Sequence, residues 1–251
     1  ETAFYADIIK TVEREIDAAG YTMVMQQIGT AEDEIARGAI MEREKKLRGI
    51  IFLGGRSDCT PEDMGTVTVP FVCCSFTNSF GTLSKSEYSS VSIEDVETAS
   101  RAVRELHRLG HRRIAALVAD TDDRSISELR YHGYARALRE CGLEPEPELV
   151  ACAGSFGMHD AYAATQRLLD SGAEFTAIFS ISDMMAIAAI KALEDRGRRV
   201  PESCSVIAID GLELSEYTRP TLTTLCQPSE RMGAESVRIL MEMIEGRGGN
   251  R

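Results

Sequence analysis

Carboxylate, guanidinium and hydroxyl side chains follow several apolar, β-branched segments of this sequence. They are, in chain order, Asp122, Asp123, Arg124 and Ser125 after RIAALVAD, Ser155 after ELVACAG, Ser182 and Asp183 after FTAIFSI, and Asp210 and Gly211 after SVIAI. A carboxylate accepts hydrogen bonds from two hydroxyl groups and a guanidinium donates to adjacent oxygens, so together they suit a neutral, hydroxyl-rich ligand. The aromatic faces of Phe156 and Tyr5 can cover the apolar side of such a ligand.

Each of these positions also has a purely structural interpretation. Ser182 and Asp183 precede the helical pattern DMMAIAAIKAL, where N-capping and first-turn charge alone explain them. Phe156 fits a core position, and Asp210 fits a turn with Gly211. The chemistry of each residue leaves both interpretations open, and only the clustering at strand ends favours a ligand site.

Helical patterns that end in glycine alternate with short apolar runs, and this alternation would position the polar residues. Phe4, Ile8, Val12 and Ile16 fall on one helical face and Gly20 ends that helix, after which YTMVMQQI is predicted as a strand. Glycines likewise precede RRIAALVAD, ELVACAG, FTAIFSIS and CSVIAID. GIIFLGG and SVIAID are apolar throughout, as a parallel sheet covered by helices on both faces requires. The pattern predicts a doubly wound α/β fold.

The predicted strands are too many for one compact sheet of this kind, so we expect two doubly wound parallel-sheet lobes joined by crossovers. The N-terminal lobe is predicted over 1–119, with 222–251 returning to it, and the C-terminal lobe over 120–221. Ligands of open parallel sheets bind outside the carboxyl ends of the strands. The polar residues would therefore lie in a cleft between the lobes, with the crossovers as hinges.

Both ends of the chain look unfinished. The opening helix lacks the strand that a βαβ unit places before it, and the helix predicted from 229 to about 245 runs into GRGGNR without a closing strand. We therefore expect a fragment of a longer protein.

The motifs of common α/β enzymes are absent from the sequence. There is no GxGxxG after a strand, no GxxxxGK[ST] phosphate loop and no GxSxG elbow. No HExxH occurs, and Gly110 stands between His107 and His111 at a helix end, which disfavours a metal bridge. The sequence predicts no enzyme, no metal site and no cofactor.

The formal net charge of −12 means that the surface as a whole repels phosphate backbones, so this chain alone should not bind DNA. No apolar run approaches the roughly 20 residues of a membrane span, and the first residues lack the layout of a signal peptide. The seven cysteines include no CxxC pair, which indicates reduced thiols in a cytoplasmic protein.

Several segments resemble, in order and spacing, those of one family. LRYHGYARAL resembles RxxGFxxAL, HRLGHRRIAALVAD resembles LGHRxIxxLxG, and FSISDMMAIAAIKAL through LTTLCQP is similar to NDxxAxGxxxAL, VPxDxSVxGFDD and PxLTTxxQP. These are segments of the lactose-repressor (LacI/GalR) family, and the likeness covers nearly the whole chain. It implies a periplasmic-binding-protein-like core, a homodimer, and operator binding through an N-terminal helix-turn-helix that is absent from this chain.

The resemblance also implies roles for individual residues. Arg130 matches the arginine that contacts the effector, and Asp210 matches the aspartate of GFDD that takes ligand hydroxyls or nitrogens. Phe156 falls where the family stacks an aromatic ring on the ligand, and Tyr5 falls at the aromatic after the first strand, on the facing side. Without the family, Arg130 has a structural interpretation as a surface ion pair, of little energetic consequence. Its partners would be Glu128 or Asp123.

Other positions match less closely. Arg124, Asp95 and Asp183 are further ligand-binding candidates. The sequence departs from the family where Ser182 replaces the usual Asn, where Ile209 and Gly211 alter GFDD, and where Glu94 with Asp95 stands in place of Asp-Asn. These departures leave the identity of the ligand open.

The function implied is that of a ligand-sensing domain of a LacI-family regulator, which binds a small effector between its lobes and so modulates operator binding. A sugar is the first candidate for the effector and a nucleobase or nucleoside the second. Inducer and corepressor roles remain open. The alternative is an exported sugar-binding protein of a transport system, which shares the fold but has a signal peptide, and an enzyme is the third possibility.

Overall fold

The computed structural model describes residues 2–29 and 32–246, and two compact units share them. The first unit comprises Thr2–Ile93 with the chain from Pro228 onwards, and the second comprises Glu94–Gln227. Both alternate helices with parallel strands, so the predicted doubly wound α/β class is confirmed. Of the helices in the described ranges, none is both long and apolar enough to cross a lipid bilayer.

The first unit contains a three-stranded parallel sheet in the order β1-β2-β3. Val72 of β2 packs with Ile239 and Leu240 of the last helix, which brings the C-terminal segment back onto this unit. The elements are α1 (Thr2–Ala18), α2 (Glu34–Lys45), β1 (Ile50–Leu53), α3 (Pro61–Met64), β2 (Phe71–Cys74), β3 (Ser89–Val91) and α9 (Ser229–Ile244).

The second unit contains a five-stranded parallel sheet in the order β5-β4-β6-β7-β8. Its elements are α4 (Asp95–Arg108), β4 (Ile114–Val118), α5 (Ile126–Glu140), a 3-10 turn (Pro147–Leu149), β5 (Val150–Cys152), α6 (Met158–Asp170), β6 (Ala177–Ser180), α7 (Asp183–Asp195), β7 (Ser205–Asp210), α8 (Leu214–Tyr217) and β8 (Thr223–Cys226). The chain winds outward in opposite directions from β4 and β6, so a topological switch point lies between these two strands. Every residue of both strands is buried, which explains their continuous apolar character.

The divisions between the units differ from the predicted ones at 119/120 and 221/222. β4 pairs with β5 and β6, and α4 packs on α5, so residues 94–119 join the second unit. β8 likewise pairs with β7, which moves the second division to Gln227 and Pro228. Polar loop composition alone could not show which sheet each strand joins.

The strand predicted over YTMVMQQI does not form. Residues 21–29 have no regular structure, and Val24 and Met25 are 50% and 62% exposed. A strand needs a neighbouring edge to complete its backbone hydrogen bonds, and none of the described strands pairs with this segment.

All seven cysteines are free thiols. Four of them are buried, at Cys59, Cys73, Cys74 and Cys204, and burial raises the pKa of the Cys59 thiol to about 11. These four are un-ionised apolar side chains of the core.

Candidate ligand-binding site

Arg130 lies on α5 with its guanidinium buried at the carboxyl edge of the second unit's sheet. Its Nε donates to Oδ1 of Asp95 at 2.8 Å, and its Nη1 donates to the carbonyl of Ile181 at 2.5 Å. Ile181 directly follows β6, and Asp95 is the first residue of α4. Arg130 therefore joins two helices to a strand end beside the topological switch point. The ion pair with Asp95 is buried, unlike the surface pair of the structural interpretation.

Asp210 ends β7 and faces the same guanidinium. Its Oδ1 lies 3.8 Å from Arg130 Nη1 and accepts a hydrogen bond from Nε2 of Gln227 at 2.8 Å. Its Oδ2 accepts from the backbone N–H of Asp183 at 3.3 Å. Burial raises the pKa of the Asp210 carboxyl to about 6; the charge of Arg130 opposes this shift and the charge of Asp183 adds to it.

Asp183 is fully buried and its carboxylate is occupied by the protein. Oδ2 accepts from the backbone N–H of Leu212 at 2.8 Å and from the hydroxyl of Ser215 at 2.7 Å, while Oδ1 accepts from the hydroxyl of Thr224 at 2.5 Å. The hydroxyl of Ser182 caps α7 by accepting from the N–H of Met185. These contacts brace the edge of the sheet around Asp210.

Gly211 allows the chain to turn directly after β7 while its backbone lies close to Cys226 of β8. Its φ of +74° is in the left-handed region, and a Cβ added there would lie 2.6 Å from Cα of Cys226. An aspartate at this position, as in the GFDD motif, would need the β8 end to move.

The remaining predicted residues lie outside the Arg130–Asp210 contacts. Phe156 is half-buried in the loop between β5 and α6. Arg124 is exposed in the turn before α5, where its backbone N–H donates to Glu128. Tyr5 belongs to the first unit, on α1, where its hydroxyl approaches Gly54 just beyond the carboxyl end of β1.

Sequence reasoning missed Gln227, Thr224 and Ser215. Gln227 directly follows β8, so the strand-end rule that selected the other candidates would also have selected it. Besides its bond to Asp210, its Oε1 is buried without a hydrogen-bond partner among the described residues. Gln227 therefore presents an unused acceptor beside Asp210.

The charges of the cluster determine which ligands it suits. One guanidinium stands against the carboxylates of Asp95, Asp210 and Asp183, so an anionic ligand would meet net repulsion. Donors and acceptors held rigidly by one another favour an uncharged polar molecule.

The comparisons with known proteins define the class. Residues 103–251 match the family model of the periplasmic binding protein-like domain. The chain also superposes with a TM-score of 0.86 on the transcriptional regulator CelR–cellobiose complex, at 30% identity, covering 98% of this chain and 74% of that one. Residues 103–251, which include most of the second unit, thus belong to a periplasmic-binding-protein-like domain.

Sequence similarity to known regulators identifies the family of this chain. The chain is 34% identical to the HTH-type transcriptional regulator MalR of Clostridium butyricum, over 99% of its own length and 74% of MalR. It is 29% identical to the HTH-type transcriptional repressor CytR of Escherichia coli K12, over 97% and 70% of the two lengths. The chain belongs to the LacI/GalR family of transcriptional regulators and is the ligand-sensing domain of such a regulator, which confirms the resemblance and disfavours the transport alternative.

Proposed function

We propose that this domain binds a neutral sugar at the carboxyl edge of its five-stranded sheet, through Arg130 and Asp210, and that the bound sugar changes the affinity of the regulator for operator DNA. The observation that carries the proposal is the buried contact of Arg130 with Asp95 and Asp210 at the switch point between β4 and β6. In open parallel sheets this is the position where ligands bind.

The chemistry of the cluster supports a sugar over a charged metabolite. Sugar hydroxyl groups can donate to Asp210 and to Oε1 of Gln227 while accepting from a guanidinium, and the excess of carboxylates disfavours phosphates. The solved complex of CelR with cellobiose, at 30% identity, supports the same ligand class. Half-buried Phe156 would supply an apolar face for the sugar ring.

Regulation would follow from linkage. A sugar that binds one arrangement of the regulator more tightly shifts the population toward it, and DNA affinity changes by the same coupling free energy. We propose that the protein acts in the cytoplasm as a homodimer, with operator contacts made by a helix-turn-helix, and that it releases its ligand chemically unchanged.

A thermal-shift screen tests the proposal. The 251-residue chain is heated with cellobiose, maltose, glucose, adenosine and glucose 6-phosphate in turn, and we expect a neutral sugar to raise the melting temperature most. Arg130→Lys keeps the charge but loses the planar fork, so it should reduce that shift sharply. Arg136→Lys, on the same helix but only half-buried and paired with Glu97, is the matched control and should keep the shift. An unchanged shift in the Arg130 variant would remove this residue from the site, and a response to adenosine alone would exclude the sugar class.

A further inference from the structure

An open cavity lies at the opposite end of the five-stranded sheet from Asp210. It has a volume of about 540 Å³, and its lining includes Arg112, Arg113, Glu174, Thr176 and Arg198. Arg113 directly precedes β4 and Thr176 directly precedes β6, which places this arginine cavity at the amino ends of the strands. It is therefore separate from the sugar site proposed at the carboxyl ends.

Two of its arginines are held in place by neutral groups. Nη1 of Arg112 donates to the carbonyls of His107 and His111 at 3.1 and 3.0 Å. Nη2 of Arg198 donates to the carbonyl of Phe175 at 2.6 Å, and its guanidinium stands 4.3 Å from the centroid of the Phe175 ring. These contacts orient the guanidinium groups without cancelling their charge.

Several other surface arginines of this unit have carboxylate partners. Arg104 pairs with Glu97 and Glu140, Arg108 pairs with Glu105, and Arg196 pairs with Asp170. Within the described residues, no carboxylate lies within ion-pair distance of Arg112 or Arg198. Two unneutralised guanidinium groups that line one cavity are conspicuous in a chain with a formal net charge of −12.

Arg113 is the third arginine in the lining of the cavity. Arg113 donates through Nε to the carbonyl of Glu174 at 2.6 Å and pairs with Glu146 at 2.9 Å. Counting Glu146 and Glu174 against the three arginines leaves a net charge of +1 at the cavity. The volume falls within the range of roughly 300–1,000 Å³ typical of small-molecule sites.

We propose that the arginine cavity is a second ligand site, which binds the phosphate group of a small phosphorylated metabolite through Arg112 and Arg198. Guanidinium groups bind phosphate oxygens with paired hydrogen bonds, and both of these side chains are already oriented by backbone carbonyls. The domain would then respond to a neutral ligand at one edge of its sheet and to an anionic one at the other.

Calorimetric titration of the 251-residue chain with inorganic phosphate and with glucose 6-phosphate tests this proposal. In Arg112→Gln/Arg198→Gln the dissociation constant of either probe should rise about tenfold or more, because glutamine keeps hydrogen-bonding capacity but has no charge. The matched control is Arg108→Gln/Arg196→Gln, which removes the same two charges outside the cavity and should change the constant less than about twofold. If both double variants weakened phosphate binding equally, the effect would come from the net charge of the protein rather than from the cavity, and the proposal would be overturned.

Glu174→Gln should strengthen phosphate binding rather than weaken it. This test remains valid even if the double variant fails to fold. Removing the carboxylate from the lining should tighten phosphate binding about threefold or more. Asp210→Asn should leave phosphate binding intact, which separates this proposal from that of the sugar site. No binding of either probe, or no tightening in Glu174→Gln, would overturn it.

Discussion

Asp210 carries its charge where water cannot solvate it well. The carboxyl is buried at the end of β7, and its ion pair with Arg130, at 3.8 Å, is too long to compensate fully for the lost hydration. Its pKa of about 6 means that protonation occurs just below neutral pH, close to the range in which a cell works.

Asp210 should make the stability of the chain pH-dependent. Because its pKa rises from 3.8 in the unfolded chain to about 6 on folding, the folded state binds the proton more tightly between these values. Stability is therefore greatest below about pH 4 for this group and is lost as the pH rises through 6, by roughly 3 kcal/mol in total.

Asp210→Asn removes this titration. The difference in unfolding free energy between the variant and the wild type should shift by about 2.5 kcal/mol in favour of the variant from about pH 4 to pH 7.5, measured by urea denaturation at both values. Asp170→Asn, exposed and paired with Arg196, is the control and should show no comparable gain. A constant difference between wild type and Asp210→Asn across this range would contradict the raised pKa.

At the residue scale, the sequence predicted which side chains gather but not how they pair. The strand-end rule and the family motifs selected Arg130, Asp95, Asp183 and Asp210, which contact one another or a shared neighbour. They could not show that Asp183 is saturated by Leu212, Ser215 and Thr224, because these partners come from segments about 30 to 40 residues away.

Asp183 joins three elements at the carboxyl edge. It begins α7 and holds the segment after β7 and the side chain of Thr224 on β8. Its truncation would leave the two buried donors of Leu212 and Ser215 and the half-buried hydroxyl of Thr224 without this acceptor, so the loss of stability would involve all three segments.

Asp183→Ala should lower the free energy of unfolding by about 3 kcal/mol or more, because donors left without an acceptor inside the protein are desolvated with no hydrogen bond to compensate. Chemical denaturation measures the change. Asp195→Ala, at the other end of α7, removes a surface carboxylate that is 39% exposed beside Lys191 and accepts from the hydroxyl of Tyr162, so it should shift the transition midpoint much less. Similar losses in both variants would mean that Asp183 does not brace the edge.

The contact of α4 with α5 depends on Gly133. A Cβ there would lie 2.3 Å from the carbonyl oxygen of Val96, and the hydroxyl of Ser100 donates to the Gly133 carbonyl at 2.8 Å. The two helices carry Asp95 and Arg130, so their spacing also sets the spacing of the site.

Gly133→Ala should destabilise the chain by about 1–3 kcal/mol, although alanine is the better helix former, because the backbone of α4 must move. The melting temperature reports the change. Gly65→Ala, where the nearest atom would be 3.2 Å away, serves as the control and should cost less. A Gly133 variant as stable as the wild type would show that α4 and α5 are not tightly packed.

Element prediction succeeded for the continuous apolar runs, whether the strand is buried throughout, as β4 and β6 are, or only partly buried, as β1 and β5 are. Continuous apolar runs between helical patterns are typical of strands in parallel sheets. Strands are found in all five of the runs predicted in this way, which are GIIFLGG, RIAALVAD, ELVACAG, FTAIFSIS and SVIAID. The prediction was wrong for YTMVMQQI, since residue types indicate strand propensity but not whether a pairing edge exists.

At the scale of the whole molecule, the sequence motifs identified the family, while the division into units needed the structure. Both β4 and β8 are strands of the five-stranded sheet, at different positions in it. One unit therefore contains all five residues of the candidate site, which are Asp95, Arg130, Asp183, Asp210 and Gln227. The candidate site is thus anchored on a single rigid sheet edge, which preorganises its charges before any ligand arrives.

The most direct test of the account is calorimetric titration of the chain with the neutral sugar that gives the largest thermal shift. If sugar hydroxyl groups donate to the ionised carboxyl of Asp210, affinity should fall about tenfold from about pH 7.5 to pH 5, and Asp210→Asn should bind weakly at both values. An affinity independent of pH and equal in wild type and Asp210→Asn would contradict the claim that Asp210 binds the effector.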